Sequence, residues 1–219
     1  MIFRALALAA PLTMIAACTN SVEVTPAVPA SVLSTASAWT VYQGGESSAP
    51  AGGYSPDTVA TGTFLPYRPD STAITYDPAV VPAGSTAEVV VGAARETTTV
   101  RLSATGLIPR RAYGAHLHTK PCTGVPDAAG PHYQHQKDPA AAASPPSVDP
   151  AFANPANEVW LDFTADTTGA VAATSKVAWT FPAGEYARSL IIHAQQTKTA
   201  PGVAGTAGPR VACLTLPAR

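Results

Sequence analysis

Proline and glycine constrain this chain more than any other feature. Twenty-two of the one and sixteen of the other are spread along 219 residues, and a proline inside a helix removes a hydrogen bond and clashes with the preceding turn. The segments between are rich in Thr and Val, which suit a pleated, half-buried surface. Short strands joined by turns are therefore expected, with no long helix. Three segments read this way in succession: A-I-T-Y-D from Ala73, T-A-E-V-V-V-G from Thr86 and T-T-T-V-R-L-S-A-T-G-L from Thr97. Alternation is clearest at Val100, Leu102 and Ala104, at Val159, Leu161 and Phe163, and at Val171, Ala173, Ser175, Val177 and Trp179. A period of two puts each set on one strand face. Turns are expected at Thr164–Gly169 and Phe181–Gly184, and a short strand or two with loops between Trp39 and Pro69.

The first seventeen residues carry one positive charge, Arg4, ahead of an apolar run that ends in small residues. This is the pattern of a secretory signal peptide, and the run is short and broken by Pro11, which argues against a transmembrane helix. Ile15, Ala16, Ala17 and Cys18 resemble the lipobox of bacterial lipoproteins, which implies that Cys18 is acylated and becomes the mature N-terminus. The alternative is an ordinary secretion signal with a spare thiol. Residues 18–38, rich in Thr, Ser, Pro and Ala, read as a lipid-anchored flexible tether, which leaves one domain over 39–219. If Cys18 carries lipid, Cys122 and Cys213 remain, and a pair in an exported protein suggests one disulfide. Two separate thiols suit an oxidising compartment poorly, and no C-x-x-C offers a zinc finger. With 12% charged residues, a formal net charge of -1 and no basic stripe, a nucleic-acid partner has no electrostatic basis.

All five histidines fall in three patches: His116 and His118 in G-A-H-L-H, His132 and His135 in A-G-P-H-Y-Q-H, and His193 in S-L-I-I-H-A. Imidazole is the commonest metal ligand, and His116 and His118, two residues apart on a strand, point to one face and can share an ion. The clustering reads as a metal site, against a plainer reading of surface or core histidines. Between His135 and Asn157 the chain is too proline-rich for a helix of any length, and a long loop beside a candidate metal site is usually functional.

From about residue 98 to 216 these motifs resemble the copper/zinc superoxide dismutases. G-A-H-L-H is similar to their G-x-H-x-H, A-G-P-H to their bridging-histidine turn, and A-G-P-R-V-A-C to their closing G-x-R-x-A-C, in family order. The resemblance implies an all-β fold, a Greek-key β-sandwich or flattened barrel of about eight antiparallel strands with long metal-site loops. It implies that His116, His118, His132 and His193 bind copper, with His132 bridging copper to zinc, releasing copper on reduction and carrying a proton. Arg210 would hold the anionic substrate, and Cys122 with Cys213 would form the family disulfide. Four imidazoles also suit Cu(II), whose tetragonal preference favours nitrogen. The implied activity is an extracytoplasmic, membrane-tethered, copper-dependent superoxide dismutase that converts superoxide to oxygen and hydrogen peroxide. A copper-sequestering surface lipoprotein without turnover is the alternative, and an inactive structural sandwich a third.

Zinc is where the sequence departs from the family. After His132 only His135 precedes His193, so the family's three-histidine zinc site cannot be built. His135 with Asp138, Asp149 or Asp162 is all that remains for that metal. The residues after His193, A-Q-Q-T-K-T, lack the acidic groups that link the two metal sites in zinc enzymes. These losses resemble the copper-only members of the family, which orient the bridging histidine with a carboxylate. Glu158 and Asp162 are the candidates, because Val159, Leu161 and Phe163 would face the core and leave both on the other face. The plainer reading is that both are simply solvated. Lys198, in the loop after His193, is a further cation that could attract an anion.

Overall fold

The computed structural model describes residues 55–142 and 146–218. The expected signal peptide, the Cys18 lipidation site, the tether and residues 39–54 lie outside the described residues. Nine strands follow in chain order: β1 (Ser55–Thr63), β2 (Ala73–Thr75), β3 (Thr86–Ala94), β4 (Thr97–Thr105), β5 (Ala112–His118), β6 (Phe163–Thr164), β7 (Val171–Val177), β8 (Ser189–His193) and β9 (Arg210–Thr215). The one helical turn among the described residues is a 3-10 turn at Pro126–Ala129. The strands form two antiparallel sheets, ordered β1-β3-β4-β7 and β2-β9-β8-β5-β6. β6 also lies alongside β7, and β2 alongside β1. The order round the flattened barrel is then β5-β6-β7-β4 on one side, a Greek-key arrangement in which β4 lies beside the end of the β5-β6-β7 run.

In the four-stranded sheet the alternating sets meet across the strands. Val89 lies opposite Leu102 and Val91 opposite Val100 on β3 and β4, and Ala104 and Leu102 face Val171 and Ala173 on β7. Val89, Val100 and Leu102 are fully buried while Glu88, Arg101 and Ser103 face water, the one-sided pattern of an antiparallel sheet. Each such buried aliphatic contributes ~1.5–3 kcal/mol by leaving water.

The five-stranded sheet is covered on both faces. On β5, Tyr113, Ala115 and Leu117 enter the core, and on β8 Leu190 and Ile192 do so. Their alternate neighbours, Gly114, His116 and His118 on β5 and Ser189, Ile191 and His193 on β8, face outward yet all the β8 residues are buried, because long loops lie over that face. A strand buried on both sides reads as a continuous apolar run, which is why S-L-I-I-H shows no alternation.

Two expectations take a different form. Val159, Leu161 and Phe163 are buried as their period requires, but only Phe163–Thr164 is strand. Ahead of it the chain touches β5 through a single bridge, His116 with Trp160, and a Leu161 N–H to Ala115 carbonyl bond. In the loop from Gln136 to Ala156, the described residues form turns held by Asn157, whose side-chain amide donates to the carbonyls of Gln136 and Phe152 and accepts from the Gln136 N–H.

Candidate metal centre

His116 and His118 project together because both lie on the outward face of β5. His193 joins them from β8, where its backbone pairs with Gly114. His132 comes from the loop after β5, which turns back so that His132 bridges to His118 and the Tyr133 N–H bonds the Leu117 carbonyl. One ligand nitrogen from each of the four lies within 4.8 Å of the others, the one cluster of this kind among the described residues. His116 and His118 are fully buried, and His193 is nearly so. His132 is the most open of the four.

Each ring has one nitrogen committed to the protein. His118 Nδ1 lies 2.9 Å from the Gly130 carbonyl and His193 Nδ1 3.2 Å from that of Gly208. A carbonyl can only accept, so both Nδ1 atoms carry the proton and both Nε2 atoms present lone pairs, 3.5 Å apart. His132 Nδ1 donates to Glu158 Oε2 at 2.7 Å. His116 Nε2 is bonded to Thr197 Oγ1 at 2.6 Å, and its Nδ1 is buried with no partner. A buried nitrogen left without a partner, as His116 Nδ1 is, is costly, and a cation held among the four ligand nitrogens would satisfy it. The residues therefore fit a metal ion held by nitrogen.

Electrostatics keep His116, His118 and His193 in their ligating form. Burial pushes His116 and His118 well below the usual histidine range, and the neighbouring imidazoles and the Arg210 charge add to it. Burial and His132 lower His193 to about 3, against the opposing Gly208 carbonyl bond. Neutral imidazole is the form that binds a metal.

Glu158 is 1% exposed and serves three donors, His132 Nδ1, Trp160 Nε1 at 2.6 Å and Gln134 Nε2 at 2.9 Å. Trp160 stands edge-on to His116 with ring centroids 5.9 Å apart. Asp162 does not orient His132. It lies beyond Thr197, on the far side of His116, with Oδ1 3.6 Å from His116 Nε2. Glu158, Trp160 and Asp162 form one outward row at a period of two, and a row that long reaches from one ring to the next rather than bringing both carboxylates to one ring.

Arg210 reaches the site through a break in the alternation. Ala212 and Leu214 on β9 face the core, so a regular strand would send Arg210 inward as well. A bulge between the Ile192–Ala212 and His193–Arg210 pairs adds Val211 to the core side and returns Arg210 to the outer face, a usual function of bulges near sites. Its Nη1 donates to the Pro126 carbonyl at 3.0 Å, and its Nε lies 3.7 Å from Asp127 Oδ1. Burial lowers the Arg210 pKa, and Asp127 and Tyr76 oppose it. Cys122 and Cys213 are joined in a disulfide, which fastens to β9 the loop that carries Pro126 and Asp127.

His132, His193 and Arg210 line a cleft of about 810 Å³ with Lys137, Glu158 and Arg188. Ala141, Ala142, Pro146 and Ser147 form part of its wall, so the long loop borders the site. Lys198 is exposed and does not line this cleft. His135 is also away from the cluster, exposed and stacked flat on Trp179 with centroids 4.9 Å apart. Asp138 accepts from Ser147 and the Ala140 N–H, and Asp149 from the Ala151 N–H, so neither is gathered with His135 into a ligand set. A histidine that bridges two metals needs both nitrogens, and His132 has given one to Glu158. Trp160 and Thr197 were not singled out by sequence reasoning. Alternation with Glu158 and Asp162 is the signal that could have found Trp160, whereas nothing local marks Thr197.

A two-sheet antiparallel barrel with four outward imidazoles under its loops defines a β-sandwich metalloprotein. The family model for copper/zinc superoxide dismutase matches residues 86–215, more than half of the sequence, and the chain belongs to that family. No curated protein matches it. Among solved structures it is similar to the Cu/Zn superoxide dismutase from Brucella abortus, with 21% identity and a TM-score of 0.46 over 73% of this chain and 98% of that one. It is also similar to a double mutant of a superoxide dismutase-like protein from Bacillus subtilis, with 19% identity and a TM-score of 0.42 over 59% of this chain and 87% of that one.

Proposed function

We propose that this protein is a copper-dependent superoxide dismutase that works without zinc, outside the cytoplasm and tethered to the membrane by lipid at Cys18. The observation that carries the reading is the convergence of four imidazoles, two of which, His132 and His193, line a cleft together with Arg210. When bound, copper would supply one-electron chemistry, by which two superoxide anions and two protons give one oxygen and one hydrogen peroxide.

The chain's own residues do the rest. His116 Nδ1, His118 Nε2, His132 Nε2 and His193 Nε2 would hold the ion. Glu158 keeps the proton of His132 on Nδ1, so Nε2 is the atom that would hold the ion and, when released from it, would exchange a proton with the substrate. Arg210, held by the Pro126 carbonyl, presents a fixed positive charge that draws an anion into the partly desolvated cleft. The commitment of His132 Nδ1 to Glu158, with His135 stacked elsewhere, supports copper alone. The membrane tether rests on Ile15 to Cys18 and on the signal-like run before it, with two acyl chains enough for stable anchoring.

Copper-loaded protein should accelerate superoxide decay in a pulse-radiolysis or stopped-flow assay, with one copper and no zinc by elemental analysis. Arg210→Ala should slow it on the order of tenfold and weaken its dependence on ionic strength. A copper-replete sample with no activity would sink the enzyme reading in favour of copper sequestration. Cys18→Ser should move the protein from the membrane fraction to the soluble one; unchanged retention would overturn lipid anchoring.

A further inference from the structure

His118 and His193 are turned by backbone carbonyls and His132 by a buried carboxylate, but His116 is turned by a side chain from a distant loop. Its ring is fully buried, and Nε2 lies 2.6 Å from Thr197 Oγ1. The direction of that bond is decided one atom further out. Thr197 Oγ1 donates to Asp162 Oδ1 at 2.6 Å, which spends its only proton, so His116 Nε2 must be the donor. The Thr197 backbone N–H donates to the other carboxylate oxygen at 2.6 Å, and the Ala115 N–H reaches Oδ1 at 3.4 Å. With the proton on Nε2, the lone pair is on Nδ1. That is the buried nitrogen with no partner in the protein.

Gly114 makes this contact possible. A Cβ at this position of β5 would stand 2.7 Å from both the Ala207 Cβ and the Gln195 carbonyl oxygen, and 3.2 Å from Thr197 Oγ1. The segment after His193 lies directly on β5 because residue 114 has no side chain, and so the Thr197 hydroxyl reaches the ring two residues along. The hydroxyl seals a ring that is 0% exposed, while the Asp162 side chain stays 26% exposed. The carboxylate therefore acts on the ring without the cost of full burial.

We propose that Thr197 and Asp162 are positioning residues for His116, a hydroxyl–carboxylate relay that fixes the Nε2–H tautomer and strengthens Nδ1 as a copper donor. This rests on the copper reading above. An acidic partner behind a ligating imidazole sets its orientation and raises its basicity. Here the acid comes from the segment before β6 and acts through a neutral hydroxyl, although A-Q-Q-T-K-T itself contains no carboxylate.

The test is made on the mature protein with three variants: Thr197→Val, which removes the hydroxyl at nearly constant volume, Thr197→Ser, which restores it, and Asp162→Asn, which removes the charge. Copper affinity is measured by competition with a chromogenic chelator, the Cu(II) EPR spectrum is recorded, and the metal-free proteins are melted as a control for folding. Thr197→Val and Asp162→Asn should lose about 10- to 100-fold in copper affinity with a changed spectrum, while Thr197→Ser behaves as the parent protein. Parent-like affinity and spectrum in Thr197→Val would overturn the relay, as would a loss in Thr197→Ser equal to that in Thr197→Val. If Thr197→Val does not fold, Asp162→Asn decides by the same readouts. A parent protein that binds copper but does not dismute superoxide would defeat the dismutase reading and leave the relay standing.

Discussion

Removing the Cys122–Cys213 bridge should lower thermal stability by an amount that the chain length sets. The linked positions are 91 residues apart, and for a loop of that size the chain-entropy relation gives about 15.5 cal/mol/K, or about 4.6 kcal/mol at 25 °C. In a domain of this size each kcal/mol moves the melting temperature ~2–4 °C, so the expected fall is ~9–18 °C. Cys213 is fully buried, which makes Cys122→Ala with Cys213→Ala the better perturbation, since a serine hydroxyl there would add an unpaired polar group. Reducing the parent protein with dithiothreitol supplies a second measure without deleting sulfur. Agreement between the two assigns the effect to the lost cross-link, and any excess in the alanine pair measures packing. A fall below ~3 °C in both, equivalent to about 1 kcal/mol, would refute the argument. The same loop carries the Pro126 carbonyl that holds Arg210 and the Gly130 carbonyl that holds His118, so copper-loaded protein lacking the bridge should also dismute superoxide more slowly.

Glu158→Ala should strand three donors, His132 Nδ1, Trp160 Nε1 and Gln134 Nε2, at ~1–3 kcal/mol each, whereas Glu158→Gln keeps the shape and should cost less stability while lowering copper affinity ~10–100-fold; chemical denaturation and chelator competition distinguish them, and parent-like affinity in Glu158→Gln would count against its role. The metal-free protein should lose stability on acidification. His193 is held at about 3 in the folded state against ~6.5 unfolded, and His116 and His118 are depressed in the same sense. Between those values the unfolded chain binds more protons, so stability falls as pH drops from ~6.5 toward ~3. Melting the metal-free protein at pH 7.5 and 5 checks this, and an equal or higher midpoint at pH 5 would disprove it. Leu102→Ala should cost ~2–5 kcal/mol, because Leu102 is buried between Val89 and Ala173; a loss under ~1 kcal/mol would mean the two sheets close around the gap.

Strands β3, β4 and β7 of the four-stranded sheet were legible in the sequence because one face meets water and the other does not. Val100, Leu102 and Ala104 alternate with polar residues for that reason, and antiparallel partners with the same period then match face to face. The His116 and His118 pair was legible from its spacing of two on one strand, as were the motifs that carry the family resemblance. β8 was not, since burial on both faces erases the alternation. Residues 159–163 have the period of a strand without the ladder, because side-chain burial depends on direction and strand assignment on hydrogen bonds. The partner of each imidazole lay beyond what spacing can express. Glu158 and Asp162 share one row, and only the path of that row past β5 assigns the first to His132 and the second, through Thr197, to His116. The face on which Arg210 lies was decided by a bulge at Val211, a register change that a regular strand would not contain. The sequence by itself determined which residues could bind a metal and which faces could be buried, since both follow from side-chain chemistry and local period. Only the tertiary structure decided which nitrogen of each ring is free, because that depends on carbonyls, a hydroxyl and a carboxylate brought from distant segments.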